Sequence, residues 1–345
     1  MQYKISICIP TYNRAKYLTN CLDSIIHNKT FLNQNIEVCV SDNCSQDETK
    51  DVVAEAKKKI DINYNRNKNN LGIPKNFIKV VDMAKGEFIW LIGDDDLLMP
   101  DALYSLNTLI DNNKGIDFFY VNSYHLSSEY VFSYDQPFNI KDLPEKMEKF
   151  SNWSGSGPMP FLDLVNPKIS FDFLGGMFLS VFRRKNWCEH ITALDNDALN
   201  DSRTFSHFDN TFPHVKIFSK AFSNSMAYYN KTPLNICLYG AREWEPMYNF
   251  IKSVRLIEAL DNYRENGLSL LKYIYCKNFA LRSFIPNLIY MYLNKETSGY
   301  KFVNPVKLIA RNCVYPNFYF SIIYFMFRRL NKIIKSLANK LFIFS

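Results

Sequence analysis

Three consecutive aspartates, Asp94, Asp95 and Asp96, follow the apolar run Phe88–Ile92 across a single glycine, Gly93. Adjacent carboxylates repel one another, so a fold that gathers them at a strand end supplies a cation or a donor-rich ligand. An all-oxygen ligand set suits Mg²⁺ or Mn²⁺, and Mg²⁺ characteristically bridges a few carboxylates to the phosphates of a substrate. The competing reading is a solvated acidic turn. Two further polar clusters weigh against it.

Pro10-Thr11-Tyr12-Asn13-Arg14 closes one apolar run, and Ser41-Asp42-Asn43 closes another. The elements that would position them alternate. KISICIP (Lys4–Pro10) reads as a strand, followed by a helical face of Leu18, Cys21, Leu22, Ile25 and Ile26, then IEVCVSD (Ile36–Asp42) as a second strand. Ser45-Gln46-Asp47-Glu48 reads as a capping box opening a helix that carries Val52, Val53 and Ala56. INYN (Ile62–Asn65) makes a short third strand, and Pro74 suits the first turn of a helix with Phe77, Val80, Val81 and Ala84 on one side. FIWLI is the fourth strand, and after a helix from Pro100 comes DFFYVN (Asp117–Asn122).

This βαβα order predicts a parallel sheet covered by helices on both faces, which binds ligands at the carboxyl ends of its strands. The three polar clusters then share one rim. A hydroxyl, a phenol, amides, a guanidinium and carboxylates gathered there could hold a base, a ribose and a diphosphate–metal unit. Strand-end polar residues are also ordinary caps and turns. Three of them coinciding with an aspartate triplet favours the ligand reading.

From about Ser123 to Ser170 the pattern is lost, and Trp153–Pro158 reads as a mobile loop. A strand-like run, Phe178–Phe182, follows Gly175-Gly176, and helical periodicity returns with Met247, Ile251, Val254 and Ile257. The chain has 345 residues, enough for one large domain or a catalytic domain with an extension. Its net charge of +7 is concentrated: from Thr297 onward there are eight basic residues and no acidic ones, against 33 basic and 34 acidic before that. A neutral body with a basic tail argues against a nucleic-acid binder and for a local anionic partner. The eight cysteines show no CxxC and no zinc-like pairing with histidine. With strand pattern beginning by Lys4 and no signal-peptide pattern, they point to a reducing cytoplasm.

IPTYNR (Ile9–Arg14), SDNCSQDET (Ser41–Thr49), NLG (Asn70–Gly72) and AKGEFIWLIGDDDLLMPDAL (Ala84–Leu103) together resemble glycosyltransferase family 2. The later SHFDN (Ser206–Asn210) makes the abequosyltransferase-like branch, acting on bacterial polysaccharide, the nearest in look. The resemblance implies an α/β GT-A (Rossmann-like) fold: a mostly parallel sheet flanked by helices, with a basic helical C-terminal extension. It divides the chain into a nucleotide-sugar half (1–122), an acceptor half (123–240) and the extension (241–345). Pro10, Thr11, Tyr12 and Asp42 would line the nucleoside pocket, with Asn13, Arg14, Asn70, Gly72 and Asn76 in the same nucleotide-sugar site. Asp94 would face the ribose or donor sugar, Asp95 would ligate Mn²⁺ or Mg²⁺, and Asp96 would assist it. Two departures stand out. Gly93 occupies the place of the first carboxylate of the common DxDD, and Asn76-Phe77-Ile78 lacks the Arg-Asn pair of many members.

The implied activity is a metal-dependent inverting hexosyl transfer from a nucleotide-diphosphate sugar to a glycan, on a polyprenyl-diphosphate lipid in O-antigen or capsule biosynthesis. The family's order of a Gly-containing loop, a strand and an acidic residue makes Asp209 the candidate base; its alternative is a helix N-cap before Pro213. His207 is the substitute. Arg183-Arg184 could contact an acceptor diphosphate, Arg242-Glu243-Trp244 could close the site, and Phe171, Phe173 and Trp153 could stack on sugar rings. The tail segment Phe318–Phe327 is too short to span a bilayer but suits the headgroup layer on the inner face of the cell membrane. Its alternative is a docking helix or a dimer contact. Two other classes of function stay open at this point: a sugar nucleotidyltransferase, and a non-catalytic membrane-docked scaffold.

Overall fold

Ile5–Thr11 forms β1, buried along its whole length because both faces are covered, which is why its sequence is a nearly unbroken apolar run. The computed structural model describes residues 3–28 and 35–343, without the side chains of Arg328 and residues 332–343. The chain divides into two compact units, Met1–Arg242 and Glu243–Ser345.

In the first unit β1 is followed by α1 (Ala15–His27), β2 (Ile36–Asp42), α2 (Thr49–Lys57), β3 (Ile62–Arg66), α3 (Ile73–Met83) and β4 (Phe88–Leu91). Leu18, Cys21, Leu22 and Ile25 form the buried stripe of α1, and Val80 and Val81 that of α3. Then come β5 (Leu97–Leu98), α4 (Ala102–Asn112), β6 (Phe118–Ser127), β7 (Glu148–Lys149), β8 (Gly157–Pro160), β9 (Ser180–Arg183) and β10 (Met226–Tyr239). They make one sheet in the order β3-β2-β1-β4-β9-β6-β10-β5, with β7 on β6 and β8 on β10. β1 pairs in parallel with β2 and β4, β2 with β3, and β6 with β10. β9 is inserted antiparallel to both β4 and β6, so β6 again points the same way as β4. The carboxyl ends of β2, β1, β4, β6 and β10 therefore share one rim, in that order across the sheet.

Several local expectations are corrected. Ser45–Glu48 is not a capping box: the helix starts at Thr49, and Glu48 makes no side-chain cap. Its polar residues turn towards the rim instead, where Asp47 accepts from the Ala15 amide and Ser45 Oγ accepts from the Asn13 amide. β6 runs on past Asn122 to Ser127. Asn122 is buried and linked to Ser151 and Lys231, so a polar residue interrupts the apolar pattern without ending the strand. Part of the glycine-rich stretch is strand β8, paired with β10. β10 itself escaped the sequence reading. Pro233 argues against a central strand, yet register shifts around Asn230, Pro233 and Asn235 absorb it.

The first unit also holds α5 (Ser128–Phe132), α6 (Arg184–His190), α7 (Asn196–Asn200), α8 (Phe208–Thr211) and α9 (Pro213–Ala221). The second unit is helical: α10 (Leu256–Glu265), α11 (Leu270–Ala280), α12 (Phe284–Leu293), α13 (Pro305–Asn312) and α14 (Pro316–Ile343). Phe318 and Ser321 of α14 are buried, and Asn317 bonds Asn278. Tyr319, Phe320, Ile322, Ile323, Met326 and Phe327 of the same helix are exposed. Among the described residues, no helix is long and apolar enough to cross a membrane. The side chains of Arg328, Lys332, Lys335 and Lys340, which carry half of the tail's basic charge, lie outside the described ones.

Candidate active site

Gly93 breaks β4 into a tight turn whose geometry requires the glycine. A Cβ there would meet Asp95 Oδ1 at 2.5 Å and Asp96 Oδ2 at 3.2 Å. A first carboxylate at this position would displace the other two, which accounts for the departure from DxDD. Asp96 closes the turn by accepting from the Gly93 amide at 2.7 Å through Oδ2. Its Oδ1 is buried with no hydrogen-bond partner among the described residues. Burial first, then the neighbouring Asp95, pushes the Asp96 carboxyl well above the usual carboxylate range. A buried, half-satisfied carboxylate beside two others is a strong demand for positive charge.

Arg14 answers part of that demand. Its Nε donates to Asp94 Oδ1 at 2.8 Å and its Nη2 to Asp95 Oδ2 at 3.0 Å, while Nη1 donates to the carbonyl of Ala241 at 2.6 Å. Arg242 Nε stands 3.7 Å from Asp95 Oδ2. Thr11 Oγ1 donates to Asp94 Oδ2 at 2.7 Å. Asp94 is still pushed up to about 6, because burial and Asp95 outweigh Arg14.

Asp42, at the end of β2, is fully buried and pairs in register with Thr11. Its Oδ1 accepts from the Ser45 amide and its Oδ2 from the Tyr64 hydroxyl, each at 2.8 Å, with Arg66 at 3.5 Å. Beneath it lies an amide network. Asn76 donates to the Ser41 carbonyl and accepts from Ser41 Oγ and Asn67, and Asn70 accepts from Asn43 and from the Gly72 amide. Gly72 holds a left-handed φ of 83°, which favours glycine. Asn13, also left-handed at φ 51°, accepts from the Gln46 amide and ties the first rim loop to the second. Pro10 is buried, and Tyr12 is 41% exposed with its ring available for stacking.

Thr11, Arg14, Asp94, Asp95 and Asp96 are thus gathered into one cluster, and Asp42, Asn70, Gly72 and Asn76 stand beside it on the β2 side. Asp209 belongs to a separate network, with Oδ2 accepting from the Asp195 amide at 2.8 Å and Oδ1 from Lys216 at 3.2 Å. It lies inside the short helix Phe208–Thr211, whose N-cap is His207, so it is not the cap itself. His207 pairs with Asp201 at 3.1 Å. Arg183 cannot reach an acceptor at this rim. It ends the antiparallel strand β9, on the opposite edge, where it pairs with Asp117 and Glu87. Trp244 stacks on Tyr248 at 5.5 Å, packing a helix start. Sequence reasoning missed Tyr64 and Arg66. Noting that β3 also ends on the rim would have found both.

The fold resembles that of Staphylococcus aureus TarS solved in complex with UDP, with a TM-score of 0.51 over 88% of this chain and 76% of that one, at 16% identity. A helix-covered, mostly parallel sheet with an acidic turn on its carboxyl rim is the architecture of the GT-A fold. Residues 6–163 match Glycosyl transferase family 2. Abequosyltransferase RfbV of Salmonella typhimurium is 29% identical over 300 residues, covering 83% of this chain and 79% of the relative. A GalNAc(5)-diNAcBac-PP-undecaprenol beta-1,3-glucosyltransferase of Campylobacter jejuni is 39% identical over 105 residues, 30% of this chain and 33% of the relative.

Proposed function

We propose that the chain is a metal-dependent, inverting glycosyltransferase. It moves a sugar from a nucleotide-diphosphate donor to a lipid-linked glycan of a bacterial surface polysaccharide, working at the inner face of the cell membrane. The observation that carries this reading is the buried triplet Asp94-Asp95-Asp96 beside the Thr11–Asp42 rim. The names of the relatives, which include an abequosyltransferase and an undecaprenyl-diphosphate glycan glucosyltransferase, support the acceptor class.

The donor set suits Mn²⁺ or Mg²⁺ chemically, because it is all carboxylate oxygen and Asp96 Oδ1 has no partner among the described residues. No group of three His, Cys, Asp or Glu is already gathered at ligand spacing among the described residues, so the diphosphate and water would complete the shell. Asp95 and Asp96 would hold the ion, and a divalent ion there supplies Lewis-acid stabilisation of the leaving diphosphate. Asp94, held by the Thr11 hydroxyl, would face the donor ribose or sugar. Tyr12 offers its exposed ring to the base, whose edge Asp42 would read through a remaining lone pair. Asp209, oriented by the Asp195 amide and Lys216, would take the proton of the acceptor hydroxyl as it attacks the anomeric carbon from the side opposite the diphosphate. Such in-line attack inverts that carbon. The exposed apolar side of α14, with Arg329 on the same helix, would rest on anionic lipid.

Calorimetric titration of UDP, CDP and GDP with and without Mn²⁺ tests the reading. Metal-supported binding of one nucleotide, abolished in Asp95→Ala, is expected. Binding indifferent to both the metal and Asp95 would overturn it.

A further inference from the structure

His125, Phe150 and Phe171 form a continuous three-ring stack. His125 and Phe150 lie 4.4 Å apart at 20°, and Phe150 and Phe171 lie 4.7 Å apart at 16°. Phe178 braces the middle ring edge-on at 5.3 Å. The outermost ring, Phe171, is 41% exposed. Phe173, which the sequence put in the same class, is fully buried core.

The loop that presents Phe171 is built at a conformational cost. Phe173 and Leu174 are consecutive non-glycine residues with positive φ, 53° and 67°. Such a conformation is costly for a residue with a Cβ, and persists only where its surroundings over-determine it. Here Asp172 does so, accepting from Ser170 Oγ at 2.7 Å and from the Gly176 amide at 2.8 Å, while Ser170 Oγ accepts from the Leu174 amide. His214 contacts the Gly175 carbonyl from below at 3.0 Å. Neither Gly175 nor Gly176 has room for a Cβ without pressing on Phe212, Phe178 or Asp172. An exposed aromatic ring is thus held rigidly at the ligand rim.

Its position across the sheet tells which part of the reaction it serves. The nucleoside residues Thr11 and Asp42 end β1 and β2, the triplet ends β4, and His125 lies near the end of β6, beyond β9. Arg242 links the two sides: it stands 3.7 Å from Asp95, and its charge acts on His125. The stack is therefore on the side of the triplet away from the nucleoside, where the acceptor must approach.

We propose that the Phe171 face of this stack, held by the 170–176 loop, is a subsite for a pyranose ring of the acceptor glycan. The C–H face of the sugar would lie on the electron-rich ring. The site rests on the glycosyl-transfer reading above and adds to it the place and chemistry of acceptor binding. A flat platform recognises ring shape and leaves the hydroxyls at the sugar's edge to other groups, which suits an acceptor bound by one face while a hydroxyl points at the donor.

Saturation-transfer NMR with a panel of methyl hexopyranosides at millimolar concentration tests this. The expected result is transfer to the ring C–H protons of at least one pyranoside, reduced at least threefold in Phe171→Ala and kept in Phe171→Trp. Thermal stabilisation by UDP, CDP or GDP with Mn²⁺, measured on the same samples, should be equal in all three proteins. No transfer from any pyranoside, unchanged transfer in Phe171→Ala, or loss of nucleotide stabilisation together with transfer overturns the subsite. If no nucleotide stabilises even the unaltered chain, the donor reading fails separately, whatever the pyranosides do.

Discussion

Arg14 sets one guanidinium between Asp94 and Asp95, at 2.8 and 3.0 Å, and offsets part of the triplet's charge from within the chain. Both carboxylates and the arginine are largely buried. Removing one partner of a buried pair costs about 3 kcal/mol, chiefly because the other charge is left uncompensated. Arg14→Ala should therefore lower the melting temperature by several degrees. Mn²⁺ should restore more stability to that variant than to the unaltered protein, since the ion would meet carboxylates without a competitor. Scanning calorimetry with and without Mn²⁺ reads both effects, and equal stabilisation of the two proteins would show that arginine and ion do not share these oxygens.

Gly93→Ala tests the turn itself. The added methyl would sit 2.5 Å from Asp95 Oδ1, and the carboxylate would have to move. We expect at least a tenfold weaker Mn²⁺-supported nucleotide binding by calorimetry, with the fold retained by circular dichroism. Unaltered affinity would mean that Asp95 Oδ1 is not a ligand.

Asp209→Asn keeps the shape of the side chain and removes its basicity. Transfer from the donor that binds should fall about a hundredfold or more, the usual contribution of a positioned base. Donor affinity should stay within twofold, because Asp209 belongs to a network separate from the triplet. Activity within a few fold of the original would move the base elsewhere.

His214 gives the fold an acid limb. Burial pushes its imidazole down to about 4, and its Nδ1 is buried without a partner among the described residues, so a second proton has nowhere to donate. The folded-state value lies below the unfolded value of about 6.5, so the unfolded chain takes up the proton first. The stability this provides is complete above about pH 6.5 and is lost as pH falls towards 4, amounting to about 3 kcal/mol. His214→Gln keeps a donor for Gly175 and cannot titrate. Urea unfolding at pH 7 and pH 4.5 should show a smaller difference between the two conditions in this variant than in the unaltered chain.

Ile323→Glu combined with Phe327→Glu tests the tail. Both residues are more than 60% exposed, so the change should spare the fold. Co-sedimentation with phosphatidylglycerol vesicles should drop severalfold and become less sensitive to salt. Unchanged sedimentation would leave the exposed side of α14 to a protein partner.

Strands β1 to β4, their helices and the rim clusters were legible because their periodicity is strong and each strand ends in a change of residue type. The β6 extension and β10 were not. Asn122 and Pro233 look like breakers in sequence and are satisfied only by partners far along the chain, Ser151 and Lys231 for one and a register shift against β6 for the other. The site divides the same way. That three aspartates need a counter-charge follows from their adjacency alone. That Arg14 and Arg242 supply it, that Gly93 makes room for it, and that Arg183 faces the opposite edge follow from strand direction and sheet order. Local chemistry is written in neighbouring residues. Which distant residues meet is decided by how the strands are dealt across the sheet, and one antiparallel strand between β4 and β6 determines what stands on either side of the triplet.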